Sequence, residues 1–338
     1  MIPTALYESY TKAMSENDRQ ANAAFAAIVA QFDPTDINGI RDALLVAYPA
    51  LVKLYGRRAV QVAYEFYTNL RAEQRVTAWT VPEPYFDEEE VEELCIADVR
   101  REVGGLYSGG TSLDAFTSKM QGLATKRTMD LSDYTLHALA NADPAKPKVA
   151  LIPHVGACAW CILLAARGFT NTKKNMDYMR HDACKCTVVV DFDRKNPSLE
   201  GYDPHDYYKI YDEATRNAKF HEEWLAMSDE ERAKYVRRTK DRTGQVSERP
   251  GDWSTYARNR TLQEMNVLLG NTKASRKGAA GSDGIVHHVD TSSIWNGRWG
   301  GTPKKPRTAS TQDNTFKGGT DPELSKRAAK ILGKTYKG

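Results

Sequence analysis

The sequence predicts a mainly α protein: a helical N-terminal region, then a small α+β module holding cysteine and histidine, then a helical, partly disordered basic tail. Three observations lead there. Residues 4 to about 142 are dominated by Ala, Leu, Glu, Arg and Gln, with apolar positions recurring every three or four residues, the period of a helix buried along one stripe. Four of the five cysteines fall between Cys158 and Cys186, flanked by two short apolar runs of strand character. From Asn271 to the C-terminus, 13 Lys+Arg stand against 5 Asp+Glu in a stretch with few large apolar residues. The expected divisions are a helical region over 1–145, the Cys/His module with a following helix over 146–227, a helical extension over 228–270, and a flexible tail with a short terminal helix over 271–338.

Charge is unevenly shared. The formal net charge is only +3, yet 34 of the 47 basic and 39 of the 44 acidic residues fall in residues 1–270, so a mildly acidic body precedes a basic tail. The first residues, "MIPTALYESYTKAMSEND", have no basic stretch leading into an apolar one, so no secretory signal is expected. No run approaches the roughly 18 apolar residues of a membrane span. The expectation is a protein made in a reducing cytoplasm, without membrane insertion and without structural disulfides.

In the helical region, "FDPTD" (Phe32 to Asp36), Pro49, "VPEP" (Val81 to Pro84) and "GGTS" (Gly109 to Ser112) mark breaks, which gives four to six helices. Between the last two, Val91, Leu94, Cys95, Val99, Val103 and Leu106 fall on one helical stripe, so Cys95 reads as a small core residue. The acidic run ahead of it suits the first turn of a helix, where the macrodipole favours negative charge. Tyr48, Tyr55, Tyr64, Phe66 and Tyr67 recur at helical spacing and read as helix packing.

Beyond "NADPAKP" the texture changes. "KVALIP" reads as a short strand, and "CTVVVDF", β-branched, as a second. After the linker "DRKNPSLEGYDP" come an amphipathic helix from about His205 to Met227, a capping box at Ser228-x-x-Glu231, and a helix from about Ser254 to Leu269. In the tail, Asp321, Pro322 and Gly333 bracket a short helix that would form only against a partner or the body of the protein.

The chemistry sits in the cysteine constellation. Cys158-x-x-Cys161 is followed by Cys184-x-Cys186, with His181 three positions before Cys184. Two thiolates from a tight turn can approach one ion, and a second pair completes a tetrahedron at about 2.3 Å per Zn–S contact. Five donors exceed four places. The favoured set is Cys158, Cys161, His181 and one of Cys184 and Cys186, holding one structural zinc that would tie the helix from Ala159 to the strand from Thr187. A thioredoxin-like use of Cys158 and Cys161 at a helix start would leave the other three residues idle. Buried cysteines without any ligand are the plain alternative.

These residues also carry a resemblance. "CAWC", then "HDACKCTVVV" and "GYDPHDYY", preceded by a helical region with "LYGRRAVQVAYEFY", resemble the Mu F-like minor head proteins of tailed bacteriophages, actinobacteriophage type, over residues 40 to 215. Asp182 and Ala183 depart from the Pro those relatives often have before the cysteine. The resemblance implies a virion protein present in few copies, assembled in the host cytoplasm and bound to the portal vertex inside the capsid. It would act in head assembly or DNA packaging and delivery, with portal, capsid and scaffold proteins as partners and residues 1–145 as the portal-docking region.

Some similar proteins are capsid maturation proteases, which keeps that activity open as an alternative, with a thiol-disulfide oxidoreductase third. The residues lean against catalysis. Neither Gly-x-Ser-x-Gly nor His-Glu-x-x-His is present, and nothing in their spacing pairs His137 or His154 with Ser132 or Ser108. In the tail, Trp295 and Trp299 interleave with Arg298, Lys304, Lys305 and Arg307, a combination suited to nucleic acid or an acidic partner surface, with a solvated linker anchored by two tryptophans as the plain alternative; DNA would be bound without sequence preference and in a salt-sensitive way.

Overall fold

The computed structural model describes residues 1–154, 157–171, 182–216, 219–240, 246–269, 315–317 and 335–337. The described chain is mainly helical and divides into two compact units. One takes residues 1–152, 169–201 and 306–338, the other residues 153–168 and 202–305. Among the described residues no helix is long and apolar enough to cross a membrane.

The first unit is built on α1 (Thr4–Val29), α2 (Ile37–Glu73), α3 (Glu88–Tyr107) and α4 (Leu113–Ala142), the low end of the expected count. Three of the starts are set by short polar side chains. Asp36 accepts from the Gly39 N–H (2.9 Å), Asp87 from Glu90 (3.0 Å) and Ser112 from Ala115 (3.2 Å), each satisfying an amide that the first turn leaves unpaired. Glu88, Glu89 and Glu90 occupy the first turn of α3, as the acidic run required.

Pro49 breaks nothing: α2 runs through it. A proline inside a helix forfeits one hydrogen bond and crowds the preceding turn, about 3 kcal/mol. Leu44, Tyr48, Leu51 and Val52, all fully buried around it, each contribute roughly 1.5–3 kcal/mol by burial, which outweighs that loss. Cys95 lies on the buried stripe of α3, in one core with Phe25, Tyr48, Val99, Phe116 and Met120. Burial pushes its thiol well above the usual range, as expected of a core residue. Of the aromatic series, Tyr48, Tyr55, Phe66 and Tyr67 are buried and Tyr64 half-buried.

Both predicted strands form. β1 (Lys148–Ile152) pairs antiparallel with β3 (Thr187–Asp191) on one side and with β2 (Thr170–Asn171) on the other, in the order β2-β1-β3. Val149 faces Val190 and Leu151 faces Val188 across the ladder. All five residues of β3 are buried, and α4 packs on this sheet, with Asp133 accepting from the Val188 N–H (3.4 Å). The chain start is stitched to the same unit, since Ile2 bridges to Leu199 within the linker after β3.

The second unit holds α5 (Ala159–Ala165), α6 (Pro204–Arg216), α7 (Lys219–Ala226), α8 (Asp229–Ala233), the hairpin of β4 (Arg237–Lys240) and β5 (Val246–Arg249), and α9 (Trp253–Leu268). Within the stretch from His205 to Met227, Pro204–Arg216 and Lys219–Ala226 are helical, as the periodicity suggested, and residues 217–218 between them lie outside the described residues. The capping box at Ser228 forms as predicted, with both reciprocal bonds present. Helix α9 is the spine on which α5, α6 and α7 pack. Trp224, Tyr235, Trp253 and Tyr256 stack into an aromatic cluster with ring centroids 5.0–5.9 Å apart. Glu223 receives the Arg260 guanidinium on both oxygens (2.7 and 3.0 Å) and the Tyr256 hydroxyl (2.7 Å).

The hairpin is an element the sequence reading missed within a stretch expected to be helical. In the tail, β6 (Thr315–Lys317) and β7 (Thr335–Lys337) pair in parallel, so that stretch is not without regular structure. Thr, Phe and Tyr suit a pleated backbone. The helix expected from Asp321 to Gly333 lies outside the described residues.

Candidate metal centre

Cys161 sits on the third residue of α5, and Cys158 is that helix's N-cap. Asn266 on α9 accepts from the Ala159 N–H (3.2 Å) and so holds the first turn of α5 in place. The inward side of this short helix is apolar, with Ile162, Leu164 and Ala165 buried beside Cys161. Cys158 is half-buried.

Cys184 and Cys186 precede β3, in the loop that leads into it. Several contacts shape that loop. Ala183 adopts a left-handed backbone (φ 60°), and its N–H donates to the Gly122 carbonyl of α4 (2.9 Å). A Cβ at Gly122 would stand 3.4 Å from the Ala183 nitrogen, an ordinary contact distance, so it is the Gly122 carbonyl rather than its lack of a side chain that holds the loop. On either side of Cys184, Asp182 pairs with Lys119, and the Lys185 ammonium reaches the buried Asp18 carboxylate (2.9 Å). Asp18 also receives Asn22 (2.9 Å) and the Thr125 hydroxyl. A charge of which only 4% is exposed is thereby paired and hydrogen-bonded, the condition under which a buried carboxylate is tolerated.

The sulfurs of Cys161, Cys184 and Cys186 lie within 4.8 Å of one another, and all three residues are buried. None of the five cysteines is in a disulfide. Two thiolates on one zinc lie roughly 3.8 Å apart when each contact is about 2.3 Å, so the spacing suits a shared ion. The donors are soft, which favours zinc or another thiophilic metal over calcium or magnesium. Three protein thiolates with a fourth protein donor would close the coordination sphere, the pattern of a structural site.

Of the predicted set, the structure brings together Cys161 and both Cys184 and Cys186, where only one of the last two was expected. Cys158 is outside this group, and His181 lies outside the described residues. Asp18, Gly122, Lys185 and Asn266, which position the loop and the helix, were invisible to sequence reasoning. Asp18, Gly122 and Asn266 are distant in sequence and carry no motif, and Lys185, though between the two cysteines, shows its partner only in the fold. Ser132 and Ser108, weighed as nucleophiles, are otherwise engaged: Ser132 shares a hydrogen bond with the Tyr10 hydroxyl (2.9 Å), and Ser108 donates to the Gly105 carbonyl (3.1 Å). Arg298, Lys304, Lys305 and Arg307 lie outside the described residues.

The architecture so far is that of a helical protein carrying a small thiol-rich α+β module. The model of the family described as VG15 protein matches residues 1–214, and the chain belongs to that family. The match runs from α1 into α6 and takes in every cysteine. Membership in this viral gene-product family points to a phage-encoded protein. No curated protein and no solved structure matches the chain.

Proposed function

We propose that this phage protein is a minor component of the head, bound at the portal vertex and acting in head assembly or in packaging and delivery of the DNA. The observation that carries the reading is the family match over residues 1–214, which takes in nearly all of the region, residues 40 to 215, that resembles Mu F-like minor head proteins. Residues 1–145 supply the surface for the portal, and capsid and scaffold proteins are its neighbours. The experiment is co-sedimentation of the full-length chain with rings of the same phage's portal protein, alongside quantification of the chain in purified virions by mass spectrometry. Binding, with a few copies per particle, is the expected result. A chain absent from both proheads and virions overturns it, and cleavage of a capsid precursor that a single Ser, Cys or His substitution abolishes would establish the maturation protease instead.

Within this reading the thiols hold one structural zinc, with Cys161, Cys184 and Cys186 as ligands and Cys158 or His181 as the fourth. The support is the buried group of three sulfurs. Metal content of protein purified without chelator should be about one zinc per chain, lost together with thermal stability in a Cys161→Ser/Cys184→Ser variant, because structural zinc binding is coupled to folding. Metal-free protein with rapidly alkylated Cys158 would sink the zinc and favour thiol-disulfide exchange.

A further inference from the structure

The β4–β5 hairpin has two faces of different charge. In its register Arg238 stands opposite Glu248, and the two form an ion pair (2.7 Å). One residue along, on the other face, Arg237 stands opposite Arg249. Directly opposed residues of an antiparallel pair have Cβ atoms about 5 Å apart, and like charges there oppose pairing. Both arginines are exposed, and neither is ion-paired with another described residue. One face of the ribbon thus sets a glutamate against its basic residues Arg238 and Lys240, while the other, with Arg237 and Arg249, holds no acidic residue.

The neighbourhood extends that charge. The Asp252 N–H donates to the Tyr235 carbonyl (2.9 Å), which sets the start of α9 beside the start of β4. Arg258, one and a half turns into α9, keeps part of its side chain in solvent and feels the hairpin: the partial withdrawal from water lowers its pKa most, Asp252 acts to raise it, and Arg237 lowers it further. Among the described residues Asp252 lies near both Arg237 and Arg258, and it is occupied as the cap of α9, accepting from the Thr255 N–H (2.9 Å) and the Ser254 hydroxyl (2.6 Å). From Arg237 to Arg260 the chain carries seven Lys+Arg against three Asp+Glu.

We propose that the Arg237/Arg249 face of the hairpin, with Arg258, binds the phosphate backbone of double-stranded DNA without sequence preference. Guanidinium groups match phosphate oxygens in a bidentate fork, and a two-stranded ribbon is of a size that the major groove admits. Single strands are bound differently, by stacking bases on free aromatic faces. The nearby Trp253, 39% exposed, packs against His221, Trp224 and Tyr256 (centroids 5.5–5.7 Å), so a choice between duplex and single strand is left to the competition in the test below. These arginines are other residues than the basic ones of the tail, and the proposal does not depend on the head reading.

The test is fluorescence anisotropy of the full-length chain with a labelled 25-base-pair duplex of arbitrary sequence, titrated at several salt concentrations. Two variants run in parallel: Arg237→Gln/Arg249→Gln/Arg258→Gln in the hairpin, and Arg298→Gln/Lys304→Gln/Lys305→Gln/Arg307→Gln in the tail. Loss of three phosphate contacts should weaken binding at least tenfold at low salt and reduce the slope of log K against log salt by about 2.7, at roughly 0.9 per phosphate. The melting temperature of the hairpin variant should stay level or rise, since the opposed like charges are gone. Unchanged affinity and slope in the hairpin variant overturns the proposal, as does tighter binding of the matching single strand or equal competition by polyglutamate. Should the triple variant fail to fold, Arg249→Gln alone should lower the slope by about 0.9, and an unchanged slope there overturns it as well.

Discussion

Arg71 shows how much one side chain can hold in this protein. Its guanidinium gives Nε to Asp143 Oδ2 (2.7 Å) and Nη2 to Oδ1 (3.3 Å), while the Tyr67 hydroxyl donates to the same carboxylate (2.8 Å). Its flat face lies over Trp79 (5.3 Å) and Phe192 (5.8 Å). Asp143 is fully buried, so removing its cation leaves a charge with little recourse to water. Arg71→Met should therefore cost about 3–5 kcal/mol in urea unfolding. Adding Asp143→Leu should recover part of that loss, because the uncompensated charge disappears with it. If the double variant is destabilised by the sum of the two single effects, the pair is not the source of the cost.

At the scale of elements, helix contact is decided by a few small residues. Gly56 of α2 faces α4 so closely that a Cβ there would stand 2.6 Å from Leu131 Cδ1 and 3.2 Å from the Phe86 ring. Gly104 of α3 has nothing within 4 Å of the same position. The two glycines should respond oppositely. Gly56→Val should lose about 2 kcal/mol by overpacking, whereas Gly104→Ala should gain about 0.5–1 kcal/mol from the chain entropy glycine otherwise loses on entering a helix. Paired denaturation curves read both, and a stabilised Gly56→Val would mean that α2 and α4 do not pack in this way. The same competition explains α2 itself. Pro49 is a correct stop signal by local chemistry, and apolar burial on both sides overrides it. Helix boundaries set by capping side chains, at Asp36, Asp87, Ser112 and Ser228, needed no tertiary information and were readable beforehand.

At the scale of the whole chain, acid sensitivity should come from carboxylates in both units. For Asp143, burial acts to raise the pKa, but Arg71, the Ala145 N–H and Tyr67 together hold it below the usual range. Glu223 is lowered chiefly by its hydrogen bonds from Arg260, against a smaller burial effect, and Asp252 by the Ser254 hydroxyl. Groups whose folded pKa is depressed contribute stability that is fully present above their unfolded values, near 4, and lost as pH falls through the folded ones. The melting temperature should thus be insensitive to these groups from neutrality to about pH 5 and fall below about pH 4. A profile that declines already between pH 7 and pH 5 would assign the sensitivity to other groups.

What the sequence determined by itself is whatever rests on local pattern. The helical stripe that buries Cys95, the caps, the strands "KVALI" and "TVVVD", the Ser228 capping box and the cluster of cysteines as the place to look all follow from neighbours within about one helix turn or one strand. What only the tertiary structure decided depends on residues distant in sequence. The register of β1 with β3, the approach of Ala183 to Gly122, and the choice of Cys161 with both Cys184 and Cys186 belong to that class. Spacing lists the donors and charges that are available, but which of them meet is settled by long-range packing, where the energy of burial exceeds any local preference.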